Sequence, residues 1–149
     1  MWNDSRSLML SKICVILFIA LLLACAVLAP RLVARLMQMS AMAFNAGKGL
    51  FLCTIYTGTA PAAALLVFLL VLLHRIDAGR VFIKENTGCL RYISWCCFVG
   101  AAICLASAFY YTPWLAVGVS AAFMGLIVRV VKNVVAKAVS LQEEADYTV

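Results

Sequence analysis

The chain has 149 residues, of which 66% are hydrophobic and only 12% charged, with a mean hydropathy of +1.07. A soluble domain of this size is roughly half apolar and about a quarter charged and leaves much of its surface wet, so this composition excludes a soluble globular protein and implies an integral membrane one. The net charge is +6, but the basic residues flank apolar runs, which makes bilayer orientation a simpler account than nucleic-acid binding.

In chain order, the first apolar run spans Ile13 to Ala29 and is expected to stop at Pro30. Arg6 and Lys12 ahead of it give it the look of a signal peptide, and "LLAC" at 22–25 resembles a lipobox with Cys25 as the residue to be lipidated. Its length favours an uncleaved span. The segment 30–49 places Leu32, Leu36, Met39 and Ala43 at helical spacing. It predicts an amphipathic helix that lies on the outer surface or packs over the bundle, with a substrate-gating lid as the sharper alternative. The second span, 50–73, contains Pro61 within a run of small residues, where a kink and close helix approach are expected.

Between spans two and three the charge is concentrated: Arg75, Asp77, Arg80, Lys84, Glu85 and Arg91 lie within 17 positions. The helix of span two should reach Ala78, with Gly79 taking the left-handed conformation that ends helices. Asn86 is expected to N-cap the next helix, and Arg91 should lie near lipid headgroups. The third span covers 92–111. "YYTPW" at 110–114 makes a short connection with Tyr110, Tyr111 and Trp114 at a membrane interface and Pro113 opening the fourth helix. The fourth span, 114–135, includes a small-xxx-small pair, Ala121 and Gly125. It runs on as a basic amphipathic helix into a tail, 136–149. The acids of "LQEEADYTV" oppose the helix macrodipole, which predicts fraying near Gln142, and they are expected to pair with the basic hairpin.

Four helical spans of about 20 residues each account for the apolar runs. Nine basic residues fall at the two ends and in the second connection, against three in the other two connections, so both termini and the 75–91 hairpin are expected in the cytoplasm. The fold class is therefore all-α: a single-domain, integral membrane bundle of four transmembrane helices, N-in/C-in, with an amphipathic outer helix between spans one and two and a cytoplasmic extension of span four. The seven cysteines are odd in number and mostly within apolar runs. Packing is the simple account. The spacing of Cys89, Cys96, Cys97 and Cys104 puts them on one helix face, but they lack the close pairs and histidines of zinc sites.

"GRVFIKENTGCLRYISW" and the terminal "LQEEADYTV" resemble the YoaS-like domain-of-unknown-function family of small bacterial membrane proteins. Members share four spans, a Gly-x-x-Phe-x-x-Glu-Asn turn and an acidic end. The matching residues are Gly79, Phe82, Glu85, Asn86, Leu90 and Arg91, then Leu141, Glu144, Asp146, Thr148 and Val149, with Tyr147 departing from the pattern. The first half resembles the family only in hydropathy. The resemblance carries no activity. The family's genes often adjoin one for a small helix-turn-helix regulator, which implies a cytoplasmic regulator protein as partner.

No catalytic, cofactor-binding or metal site is expected, and the spans contain no Asp, Glu, Lys or Arg up to Val128, which also counts against proton-coupled transport. The leading expectation is a non-enzymatic regulatory or sensory protein of the cell membrane whose hairpin and tail hold a partner. The alternative is a small-molecule or peptide export or immunity protein. Partners are the lipid bilayer and a regulator protein, without direct nucleic-acid binding. A homo-oligomer is left open.

Overall fold

The computed structural model describes residues 4–148. Five helices follow one another: α1 (Asp4–Met39), α2 (Ala41–Ala46), α3 (Lys48–Asp77), α4 (Lys84–Ser107) and α5 (Pro113–Tyr147). All but the six-residue α2 are long and apolar enough to cross a membrane. The chain is an all-helical, multi-pass membrane protein. At 1.5 Å per residue, α1 and α5 measure roughly 54 and 52 Å, well beyond a hydrocarbon core of about 30 Å. Both must project from it.

The long helices pack in chain order, α1 on α3, α3 on α4 and α4 on α5, with no backbone contact between the other pairs of long helices among the described residues. The bundle is therefore open, and each outer helix buries a narrow face. In α1 this face is Val15, Ile19, Leu22, Ala26, Ala29 and Val33, a 4-3-4-3-4 spacing that keeps one seam on a neighbouring helix. Leu17, Phe18, Leu21 and Val27 remain exposed. In lipid such side chains need no protein cover.

The tightest seam is α4 on α5. A Cβ placed on Gly118 would stand 2.9 Å from Leu105 Cγ, and one on Gly125 would stand 3.1 Å from Cys97 Cβ. The buried Ser94 hydroxyl donates to the Gly125 carbonyl at 3.0 Å. Two small residues seven apart thus admit close approach of α4 and a cross-seam hydrogen bond, two of the sources of helix association that remain without a hydrophobic effect. Gly125 was half of the predicted small pair. Gly118 was not anticipated, because Ala121 stood at the conventional four-residue spacing.

Helix α1 does not end at Pro30. It continues to Met39, so the outer connection is helical mainly as its extension. Proline removes the N–H that would serve the carbonyl four residues earlier, which is that of Ala26. The Tyr56 hydroxyl of α3 donates to this carbonyl at 3.3 Å. A neighbouring helix thus supplies what the proline withholds, the usual condition for proline inside a membrane helix. Ser40 then breaks the helix and caps α2 by accepting from the Ala43 amide. Gly47, at φ 84°, turns the chain into α3. The segment folds over the bundle, burying Val33, Ala43 and Phe51 together.

Phe51 is 1% exposed and meets Tyr110 and Tyr111 edge-on at 5.2 and 5.1 Å. The Thr54 hydroxyl bonds those of Ser107, at 2.8 Å, and Tyr110. Tyr110 and Tyr111, expected at a membrane interface, are thus half-buried packing elements. Apolar contact at the other end joins Leu72, Cys89, Leu90 and Ile93.

Two outcomes test this packing. Gly125→Leu should lower stability in detergent by about 1–3 kcal/mol, the cost of overpacking a tight contact. Gly100→Leu, where nothing lies within 4 Å, should cost much less in the same thermal unfolding measurement. In a double-mutant cycle, Tyr56→Phe should destabilise the native chain by roughly 0.6 kcal/mol, a typical membrane hydrogen bond. In a Pro30→Ala background the restored backbone N–H takes over the Ala26 carbonyl, and the loss should shrink towards zero.

Candidate interaction surface at the hairpin end

The hairpin between α3 and α4 is built by its backbone. Gly79, at φ 76°, ends α3, with its N–H on the Ile76 carbonyl and the Arg80 N–H on the Arg75 carbonyl. This paired pattern is a Schellman stop and requires a residue that tolerates positive φ. Helix α4 begins at Lys84 with Ile83 as its N-cap, so Asn86 does not cap it as expected. Asn86 lies one turn inside, only 1% exposed, and its amide nitrogen donates to the Arg80 and Val81 carbonyls at 2.7 and 2.8 Å. The loop carbonyls needed a donor more than the helix amides needed an acceptor. Gly79 and Asn86 therefore fix the shape of the turn. Leu90 belongs to the apolar core beneath it.

The tail reaches back to this turn. Helix α5 does not fray at Gln142 but continues to Tyr147, and the Thr148 hydroxyl donates to the Glu144 and Ala145 carbonyls. Val139 is buried. Lys84 Nζ stands 2.9 Å from Glu143 Oε1. This exposed pair links the last turns of α5 to the start of α4, beside the buried Val139, and adds only a little to stability. Phe82, Glu85, Glu143 and Asp146 line one cavity of about 270 Å³ at the junction.

Of the residues shared with the family motif, Phe82, Glu85 and Asp146 thus meet on one surface. Leu141 and Glu144 lie on exposed parts of α5, and Thr148 just beyond its end, outside that cavity's lining. Arg91 lines a different cleft, between α4 and α5. Val149 falls outside the described residues. Lys84 and Glu143 were missed as individual partners. Their opposite charges were visible, but the α4·α5 register that joins them was not.

On the far edge of the same end, Lys12 of α1 pairs with Asp77 at the end of α3. Arg75 Nη1 donates to the buried Cys89 sulfur at 3.4 Å. The cysteines are free, and among the described residues no group of three or more His, Cys, Asp or Glu could hold a metal ion. At the opposite end, an apolar cavity of about 390 Å³ opens between Leu32, Val33, Phe51, Trp114 and Val117. The Trp114 indole N–H is buried there without a hydrogen-bond partner.

The chain belongs to the family described as protein of unknown function DUF2975, which it matches over residues 11–149. Membership of an uncharacterised family is as the motifs implied. The finer YoaS-like name is not part of that match. No curated protein and no solved structure matches the chain.

Each ion pair shifts one partner, the acid downward in one and the base upward in the other. The hydrogen bond and charge of Lys12 hold the Asp77 carboxyl below its ordinary 3.8. A depressed folded-state pKa stabilises above the unfolded value and is lost as pH falls through the folded one. The hydrogen bond and charge of Glu143 raise Lys84 above its ordinary 10.5, a contribution present below that value and lost as pH climbs past it. Asp77→Asn should therefore lower the melting temperature slightly at neutral pH, with the difference from wild type vanishing in acid below the Asp77 pKa. Glu143→Gln should do the same at neutral pH, with its difference vanishing in strong alkali as Lys84 loses its proton. Thermal unfolding across pH checks both.

Proposed function

From this family membership, which brings no activity with it, we propose that the chain is a non-enzymatic regulatory protein of a bacterial cell membrane. It holds a cytoplasmic protein, such as a small helix-turn-helix regulator, on the face formed by its hairpin and tail. The observation that carries this reading is the Lys84–Glu143 contact, which joins two motif-bearing stretches far apart in sequence into one surface. Phe82 is 51% exposed and Tyr147 92% exposed on that surface. Exposed aromatics are the anchors that protein interfaces favour, and Glu85 and Asp146, which line the cavity with no ion-pair partner among the described residues, suit a basic partner. The positive-inside bias supports a cytosolic location for this face.

A second reading, as an export or immunity protein for small molecules or peptides, is favoured by the apolar cavity at the other end. It predicts that a gene deletion raises sensitivity to lipophilic drugs or cationic peptides. Trp114→Ala should then fail to complement the deletion.

The leading reading predicts that tagged full-length chain, solubilised gently from native membranes, co-purifies a cytoplasmic protein. Truncation after Ser140, and Phe82→Ser with the chain otherwise intact, should each reduce that protein by roughly fivefold or more, the loss expected for an interface anchor worth about 1 kcal/mol. An identical partner set in all three preparations contradicts the proposal.

A further inference from the structure

The α4·α5 seam also brings cations together with no acid to neutralise them. Gly118, Gly125, Lys132 and Val139 follow one another at seven-residue intervals on α5, so Lys132 lies on the stripe that packs against α4. There it shares a cleft of about 170 Å³ with Arg91 and Arg129, walled by Ser94 and Trp95. The Arg129 guanidinium stands over the Trp95 ring at 5.9 Å, which fixes its direction. Arg91 and Lys132 also border an adjoining cavity of about 360 Å³. The carboxylate in that lining is Glu143, which is engaged by Lys84. Among the described residues none of the three cations has a carboxylate within ion-pair distance.

Three like charges around one small cleft repel one another unless an anion neutralises them. The depth of the cleft identifies the class of anion. Arg91 immediately precedes the apolar stretch of α4, and Arg129 immediately follows that of α5. The cleft therefore sits where hydrocarbon gives way to headgroups, the position of basic inter-helix pockets that hold anionic lipid. Two guanidinium forks suit phosphate oxygens, and Lys132 adds a point charge. Ser94 donates its proton to the Gly125 carbonyl, so cationic groups carry the recognition. We propose that this cleft is a phosphate site of the protein, taking the phosphodiester headgroup of an anionic membrane lipid or a soluble phosphate ester of the same chemistry.

The test uses the purified full-length chain, stripped of lipid in detergent. It is offered micelles doped with phosphatidylglycerol or phosphatidylcholine, or inorganic phosphate in undoped micelles. Native mass spectrometry counts retained lipid, and thermal unfolding reports protection. Phosphatidylglycerol should be retained over phosphatidylcholine. Arg91→Gln/Lys132→Gln should weaken that retention by roughly fivefold per cation removed, the usual worth of one Lys or Arg at an anionic surface. Lys137→Gln, exposed and outside the cleft, should retain the lipid as wild type does. Should circular dichroism show the double variant misfolded, Arg129→Gln alone decides, with an expected loss of about fivefold. Protection by inorganic phosphate without selective lipid retention assigns the site to a soluble phosphate. Protection by phosphatidylglycerol alone assigns it to a headgroup. Equal retention of both lipids with no protection by phosphate, or undiminished phosphatidylglycerol or phosphate binding in the cleft variants, overturns the proposal.

Discussion

Hydrocarbon gives helices no reward for hiding leucine, so they associate where small residues let backbones approach and where polar groups find partners. In this chain that condition is met most fully by Gly118 and Gly125, which let Leu105 and Cys97 approach so closely that an added Cβ would force them to shift. The register they impose on α4 and α5 has consequences at a distance. It places Glu143 against Lys84, and it brings Lys132 into the cleft with Arg91 and Arg129. The composite surface and the cationic cleft at the hairpin end both depend on that alignment.

The opposite end is held by different means. Phe51 gathers two tyrosines and the folded-over outer segment, and the Thr54 hydroxyl bonds those of Ser107 and Tyr110 within the packing. Among the long helices of the described residues, α1 makes backbone contact with α3 alone, and α2 folds back on both. Tyr56, serving the carbonyl that Pro30 leaves free, is part of that attachment. One end is thus packed around aromatic rings, and the other holds both ion pairs and is turned by a tight loop.

Much of this was legible in the residues. The four spans followed from runs of apolar residues of bilayer length, and Gly79 and Pro113 marked a helix end and a helix start for reasons local to the backbone. What failed to show was whatever depends on a second helix. Pro30 looked like a stop because the donor that rescues it comes from Tyr56, far along the chain. Asn86 looked like a cap because the loop carbonyls it serves are defined only once Gly79 has turned the chain. The tail looked prone to fray because its contact with the start of α4 lies beyond the reach of any periodicity. Of the motif residues, Phe82, Glu85 and Asp146 converge, whereas Gly79, Asn86 and Leu90 have structural duties that account for their presence without a partner. The cleft of Arg91, Arg129 and Lys132 was hidden for the same reason as the ion pair: a cation's neighbours across a seam cannot be read until the register is known.

That register is open to direct measurement. Cysteines placed at Thr87 and Ser140, which border one cavity from opposite helices, can be bridged by a short thiol-specific cross-linker in a variant whose native cysteines are replaced by alanine or serine. The account predicts efficient intramolecular cross-linking between them, and none between Thr87 and Phe123, which lies several turns away along α5. Failure of the first pair to cross-link, or equal cross-linking of both, would contradict the alignment of α4 with α5 on which the hairpin-end surface and the phosphate cleft rest.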